Sequence, residues 1–255
     1  MQFALAFDRA KRGDRTNALH LLEQVLDELS DTKGTFSESD LVEAAQVLTP
    51  DVPPGRWSAL EPTAMSATSD VTLAKQPNGF ILATAGTAAP KPSTYVIQYR
   101  TKVGRIAALL FEAVPHQSLP NRSSGLTNNF HLTEIRARVL RSDGTVTPLT
   151  FRRAVSDFIR PLEVGMSLHD GPWGVIDGSQ QSRWDIATRE SQPHWLMLTV
   201  DPLIHIAEDE TLIVELDSGD ARFPSARLGH FRLSASAELR NGLAEELQTA
   251  IRQRH

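Results

Sequence analysis

Trp173 stands between Pro172 and Gly174, with Asp170 just before it and Asp177 just after. An indole in a polar loop can stack on the apolar face of a sugar ring, and carboxylates on either side can accept hydrogen bonds from its hydroxyls. The same residues also suit a plain turn, because Asp and Gly punctuate loops whether or not anything binds there. Asn128, Asn129 and Glu134 offer a second chemistry, a structural calcium held by carboxylate and amide oxygens. They lack the bunched Asp-x-Asp spacing of a calcium loop, and Glu134 has another partner within reach in Arg136.

The remaining reactive residues form no recognisable machinery. The eight histidines include no His-x-x-x-His and no His-Glu-x-x-His. Gly178-Ser179-Gln180 lacks the second glycine of a nucleophile elbow, and no helix follows it. With no nucleophile, acid-base pair or metal cluster at adequate spacing, the chain is expected not to be an enzyme. No cofactor is expected beyond the calcium. The absence of cysteine excludes disulfides, thiolate zinc sites and covalent haem attachment.

A net charge of −5 leaves no basic footprint, so nucleic acid is not an expected partner. Hydrophobic residues make up 40% and charged residues 22% of the 255, the balance of an ordinary soluble globular chain. No apolar run approaches the roughly 20 residues of a membrane span, so no membrane partner is expected. The short apolar start, soon interrupted by Asp8 and Arg9, does not read as a signal peptide. A cytoplasmic location is expected for a complete chain, and a secreted or periplasmic one for a fragment of a larger protein.

The elements that would position these residues fall into three segments. Residues 1–52 read as helical: apolar side chains from Phe3 to Leu29 recur every three or four residues, and Ser37-Glu38-Ser39-Asp40 caps a short further helix. Gly13 at the joint faintly resembles a helical-repeat hairpin, but no second copy follows. Pro53-Pro54-Gly55 ends this part, since neither a proline pair nor glycine continues a helix.

From there to residue 237 the period becomes two. Val71–Lys75 and Phe80–Thr84 flank Asn78-Gly79, a hairpin signal. Tyr95–Arg100, Ile106–Val114, Phe130–Leu140, Val146–Ala154, Arg183–Ala187, His194–Val200, Thr211–Leu216 and Gly229–Ser236 supply eight more strands. In the fifth, Phe130, Leu132, Glu134 and Arg136 are expected to point one way and His131, Thr133, Ile135 and Ala137 the other. Ten short strands without an intervening helix predict an antiparallel β-sandwich of jelly-roll type, with Trp184 and Trp195 in its core. Residues 238–255 return to helical spacing through Leu239, Leu243, Leu247 and Ile251.

Several motifs occur in a telling order: Trp57-Ser58-Ala59-Leu60-Glu61-Pro62, Asn78-Gly79, Leu119-Pro120 before Asn129-Phe130-His131-Leu132-Thr133-Glu134, Trp184-Asp185-Ile186, and Gly229-His230-Phe231-Arg232-Leu233-Ser234. This set resembles the sandwich module of large planctomycete multidomain proteins that also carry cytochrome-c-like domains and planctomycete-specific domains of unknown function. The loop at residues 121–128 is poorer in glycine than the family's, and the first 50 residues have no counterpart in the pattern. The resemblance implies a galactose-binding-like sandwich and transfers no redox role, because the haem would sit in another domain. Two functions follow as expectations: a non-catalytic module that binds carbohydrate or a similar polar ligand, or a spacer among neighbouring protein domains.

Overall fold

The computed structural model describes residues 57–158 and 171–238. The helices expected over residues 1–52 and 238–255 fall, apart from Glu238, outside the described residues. What is described is mainly β: thirteen strands in two antiparallel sheets.

The strands are β1 (Ser58–Ala59), β2 (Glu61–Ala67), β3 (Val71–Lys75), β4 (Ile81–Ala85), β5 (Ser93–Arg100), β6 (Arg105–Ala113), β7 (His131–Leu140), β8 (Val146–Pro148), β9 (Phe151–Ser156), β10 (Trp184–Asp185), β11 (His194–His205), β12 (Thr211–Ser218) and β13 (His230–Ser236). Sheet one runs β3-β4-β13-β6-β11-β9, with β1 also pairing with β13. Sheet two runs β10-β7-β12-β5-β2, with β8 also pairing with β7. Three of the pairings are nested in sequence. β7 pairs with β10, β6 with β11 outside them, and β5 with β12 outside those.

The sheets face each other across one apolar core. Alternate residues of sheet two, such as Tyr95, Ile97 and Tyr99 on β5 and Leu212, Val214 and Leu216 on β12, meet Ile106, Leu109, Phe111, Leu196, Phe231 and Leu233 from sheet one. Phe111 sits at the centre of an aromatic group, stacked on Phe231 at 5.7 Å and edge-on to Trp184 at 6.1 Å. Trp184 is therefore core, as the pattern indicated, and its indole N–H donates to Phe158 O at 3.0 Å. Trp195 is also buried, but in a separate cluster with Ala108, Leu110, Val155 and Met197, against which Trp57 packs. These residues alternate with the core-facing ones on β6, β9 and β11, so they occupy the opposite face of sheet one.

Local chemistry explains where strands break. Asn78 (φ 59°) and Gly79 (φ 75°) both take the left-handed conformation between β3 and β4, as Asn-Gly favours. A Cβ on Gly79 would stand 2.5 Å from Leu60 O, so glycine is required twice over. The apolar run expected as one strand from Val146 to Ala154 is two: β8 ends at Pro148 in sheet two and β9 begins at Phe151 in sheet one. Proline has no N–H for the ladder, and the chain crosses between sheets there. In β7 the two-residue alternation slips. Glu134 lies opposite Asp217 while Leu132 lies opposite Ser218, leaving Thr133 as an extra residue. This bulge lets Leu132, Ile135 and Ala137 all enter the core while Glu134 and Arg136 face outward, which corrects the simple alternation.

Candidate functional site

The outward face of sheet two is built from charge. Arg136 on β7 donates through Nη1 and Nη2 to the two carboxylate oxygens of Asp217 on β12, at 2.9 and 3.0 Å, and through Nε to Glu215 at 3.2 Å. Arg138 pairs with Glu215 as well. Thr94 on β5 donates to Asp217 at 2.6 Å, and Gln180 from the loop of residues 171–182 donates to it at 3.1 Å. Burial works against the charge of Asp217, yet the bonds from Arg136, Thr94 and Gln180 outweigh it and hold the carboxyl below its ordinary value.

Glu134 is the exception on this face. The bulge aims it outward, but the 171–182 loop covers it, leaving it 5% exposed. Its hydrogen bond is one backbone N–H, from Gly178 to Oε2 at 3.0 Å. Burial pushes its carboxyl up to about 7, against the pull of that N–H and of Arg136, while Asp177 and Asp217 add like charge. At neutral pH it is therefore shared between a form that donates and a form that only accepts.

The loop that makes this environment shapes itself. Pro172–Val175 is a 3-10 turn, and Gly171 before it lies under the half-buried indole of Trp173, where a Cβ would come within 2.7 Å of the ring. Asp177 is exposed, yet both its oxygens accept from the Ser182 hydroxyl, at 2.8 and 2.7 Å, and Oδ1 also accepts from Ser179 N–H. That is turn chemistry of the kind Asp supplies in loops. Asp170 lies outside the described residues.

The three candidate calcium ligands have separate partners. The Asn128 amide oxygen accepts from Asn121 at 3.3 Å. Asn129 donates to Asp185 and accepts from Ile186 N–H, while Glu134 bonds Gly178. Among the described residues no group of three or more His, Asp or Glu side chains is arranged to hold a metal ion. What the loop does bring together is Glu134 with Asp177 and Gln180, joining one residue of the expected metal set to one of the expected ligand set.

A second polar cluster was hidden by sequence distance. His131 Nδ1 lies 2.6 Å from Asp220 Oδ2, although the residues are 89 positions apart. Arg183 approaches the same oxygen at 3.5 Å and stacks over Phe223, whose ring meets His131 edge-on. Asp220 Oδ1 accepts the N–H groups of Arg222 and Phe223. Burial opposes the charge on Asp220, but the bonds from His131 and Phe223 N–H and the charge of Arg183 keep it ionised below its ordinary range. His131 is pushed down by the same burial, partly offset by Asp220. His194, between Asp157 at 2.8 Å and Arg189 O at 3.0 Å, is tied to the protein through both ring nitrogens.

The fold and this face define a class: an antiparallel β-sandwich with a charged outer sheet and one buried carboxyl, its pKa raised by burial, under a loop. No family model, curated protein or solved structure matches the chain.

Proposed function

We propose that the chain is a non-catalytic β-sandwich module of jelly-roll type that binds a carbohydrate or similar polar ligand at Glu134 and the 171–182 loop. The nested pairings β5 with β12, β6 with β11 and β7 with β10 support the jelly-roll reading, since that topology is a long antiparallel hairpin rolled into two sheets. The ordered motifs shared with the planctomycete sandwich module support a galactose-binding-like relationship. One observation carries the ligand reading: Glu134 is buried beneath a loop that also presents a half-buried indole, Trp173. A carboxyl that both donates and accepts suits a hydroxyl, and an indole carried by the same loop suits the apolar part of a sugar.

The opposed ionisation of Glu134 and Asp217, cross-strand neighbours, invites comparison with the carboxylate pair of a glycosidase. Asp217 argues against it. Both its oxygens are committed to Arg136, with Thr94 and Gln180 added, so neither is poised to attack or to activate water.

The second reading is a spacer or interaction domain of a larger multidomain protein. It rests on Leu140 and Val146, cross-strand partners on β7 and β8 that are 37% and 53% exposed and form an apolar spot on the sheet's rim. Retention on a glycan array separates the two readings. The ligand module predicts retention of the unmodified protein, at least a tenfold loss with Trp173→Ala, and altered pH dependence with Glu134→Gln. If the unmodified protein is not retained, or both variants are retained equally well, the spacer reading replaces it.

A further inference from the structure

A buried cation with no counter-ion among the described residues lies at the end of the sandwich where β12 turns toward β13. Arg227 is 3% exposed, and its backbone is pinned by Arg227 N–H donating to Ser225 O and Arg227 O accepting from Leu126 N–H. Its side chain runs beside Gly219, whose positive φ of 76° and missing Cβ leave room for the Arg227 Cγ. Nη1 reaches Ser69 Oγ at 3.5 Å, and Nε has no hydrogen-bond partner.

Arginine cannot relieve this by losing its proton, and burying an unpaired charge costs several kcal/mol. Elsewhere the chain avoids that cost. Arg183, Arg141 and Arg232, with side chains 14%, 23% and 27% exposed, each face a carboxylate. Arg227 is more deeply buried and has no ion pair among the described residues. The acids nearest in sequence and register are already engaged: Asp70 lies over Gly86 and accepts Ala88 N–H, Asp217 holds Arg136, and Asp220 holds His131.

Another unsatisfied group at this end is a hydroxyl that can donate. Ser93 is buried, its Oγ has no hydrogen-bond partner, and it stands opposite Ser218 in the β5–β12 register. Ser218 Oγ accepts Leu228 N–H, and Thr94, next to Ser93, is bonded to Thr68, next to Ser69. Leu228 O nearby is taken by the Tyr95 phenol at 2.9 Å. A guanidinium and two serine hydroxyls, with no carboxylate paired to them among the described residues, form an environment rich in donors.

We propose that Arg227, Ser69 and Ser93 form a site for a small oxyanion, a single phosphate, sulfate or carboxylate group. The guanidinium fork supplies paired N–H donors to two oxygens, and the serine hydroxyls supply the rest. The site is separate from Glu134, so it stands or falls independently of the sugar reading.

The test is thermal unfolding of the dialysed protein against phosphate, sulfate, acetate and chloride at matched ionic strength. At least one oxyanion raises Tm progressively with concentration, by about 5 °C at one hundred times its Kd, and chloride does not. Phosphate or sulfate alone marks a tetrahedral ligand, and acetate alone a carboxylate. Arg227→Met abolishes the rise, and should that variant fail to fold, the Ser69→Ala/Ser93→Ala double variant shifts the response to at least tenfold higher anion. The proposal is overturned if oxyanions raise Tm no more than chloride, if Arg227→Met keeps the full response, or if the double variant responds as the unmodified protein does.

Discussion

Replacing Glu134 by Gln isolates one carboxyl. Gln keeps the shape and an oxygen for the Gly178 N–H but never ionises, so the two proteins differ only in whether position 134 titrates. In the unfolded chain a glutamate loses its proton near 4.5, whereas in the folded sandwich burial holds it until about 7. The folded state therefore binds the proton more tightly. Its stabilising contribution is fully present below the unfolded value and is lost as pH rises through the folded one. At roughly 1.4 kcal/mol per pH unit, that window amounts to at most about 3 kcal/mol. Urea denaturation of both proteins from pH 4 to pH 8, with slopes compared to verify that the unfolding reaction is the same, reads the difference directly. Titrating groups remote from position 134 cancel between them. Glu134→Gln should match the original protein near pH 4 and become about 3 kcal/mol more stable relative to it by pH 8. A difference that stays flat with pH, or that favours the original protein as pH rises, would refute the burial argument and the half-ionised carboxyl on which the ligand reading depends.

Two further outcomes test other parts of the structure. Trp184→Ala, which empties the space between Phe111 and Phe130 and removes the donor to Phe158 O, should cost about 3–5 kcal/mol in chemical denaturation; a loss below 1 kcal/mol would mean the indole is not central to the core. Asp220→Asn should cost about 2–4 kcal/mol at pH 7, because it leaves buried His131 without its carboxylate and leaves Arg183 with Asp185 in place of two acids. Asp220 is held below its ordinary value, so this penalty should shrink as pH falls below about 4, where the original carboxyl also protonates.

The sandwich was legible because its strands alternate and its turns carry Asn-Gly or Asp-Gly. Other elements left weaker marks. Glu61–Ala67 forms β2 at the rim of sheet two, mostly exposed and with Pro62 in it, so neither alternation nor composition announced a strand. The Thr133 bulge has no residue signature, because it arises from fitting β7 against β12, and so the outward aim of Glu134 could not be read from β7 alone. The site was legible only in pieces. Trp173 and Asp177 drew attention through their loop, and Glu134 as a metal ligand. Their grouping depends on Gly178 lying 44 residues after Glu134 and on Asp217 arriving from another strand. Arg227 gave no signal, since an arginine in a polar loop reads as exposed until the packing around it is known.

The nested pairings impose a delay on folding during synthesis. Thr94 on β5 and its partner Asp217 on β12 are 123 residues apart, an interval of on the order of ten seconds at ribosomal speed. β6 fares no better, because both of its neighbours, β11 and β13, lie downstream. Its segment Ile106-Ala107-Ala108-Leu109-Leu110-Phe111 carries apolar side chains for both faces of sheet one. For that interval the nascent chain carries a sticky, unpaired strand outside the ribosome. The hazard at residues 106–111 ends only when the last third of the sandwich emerges.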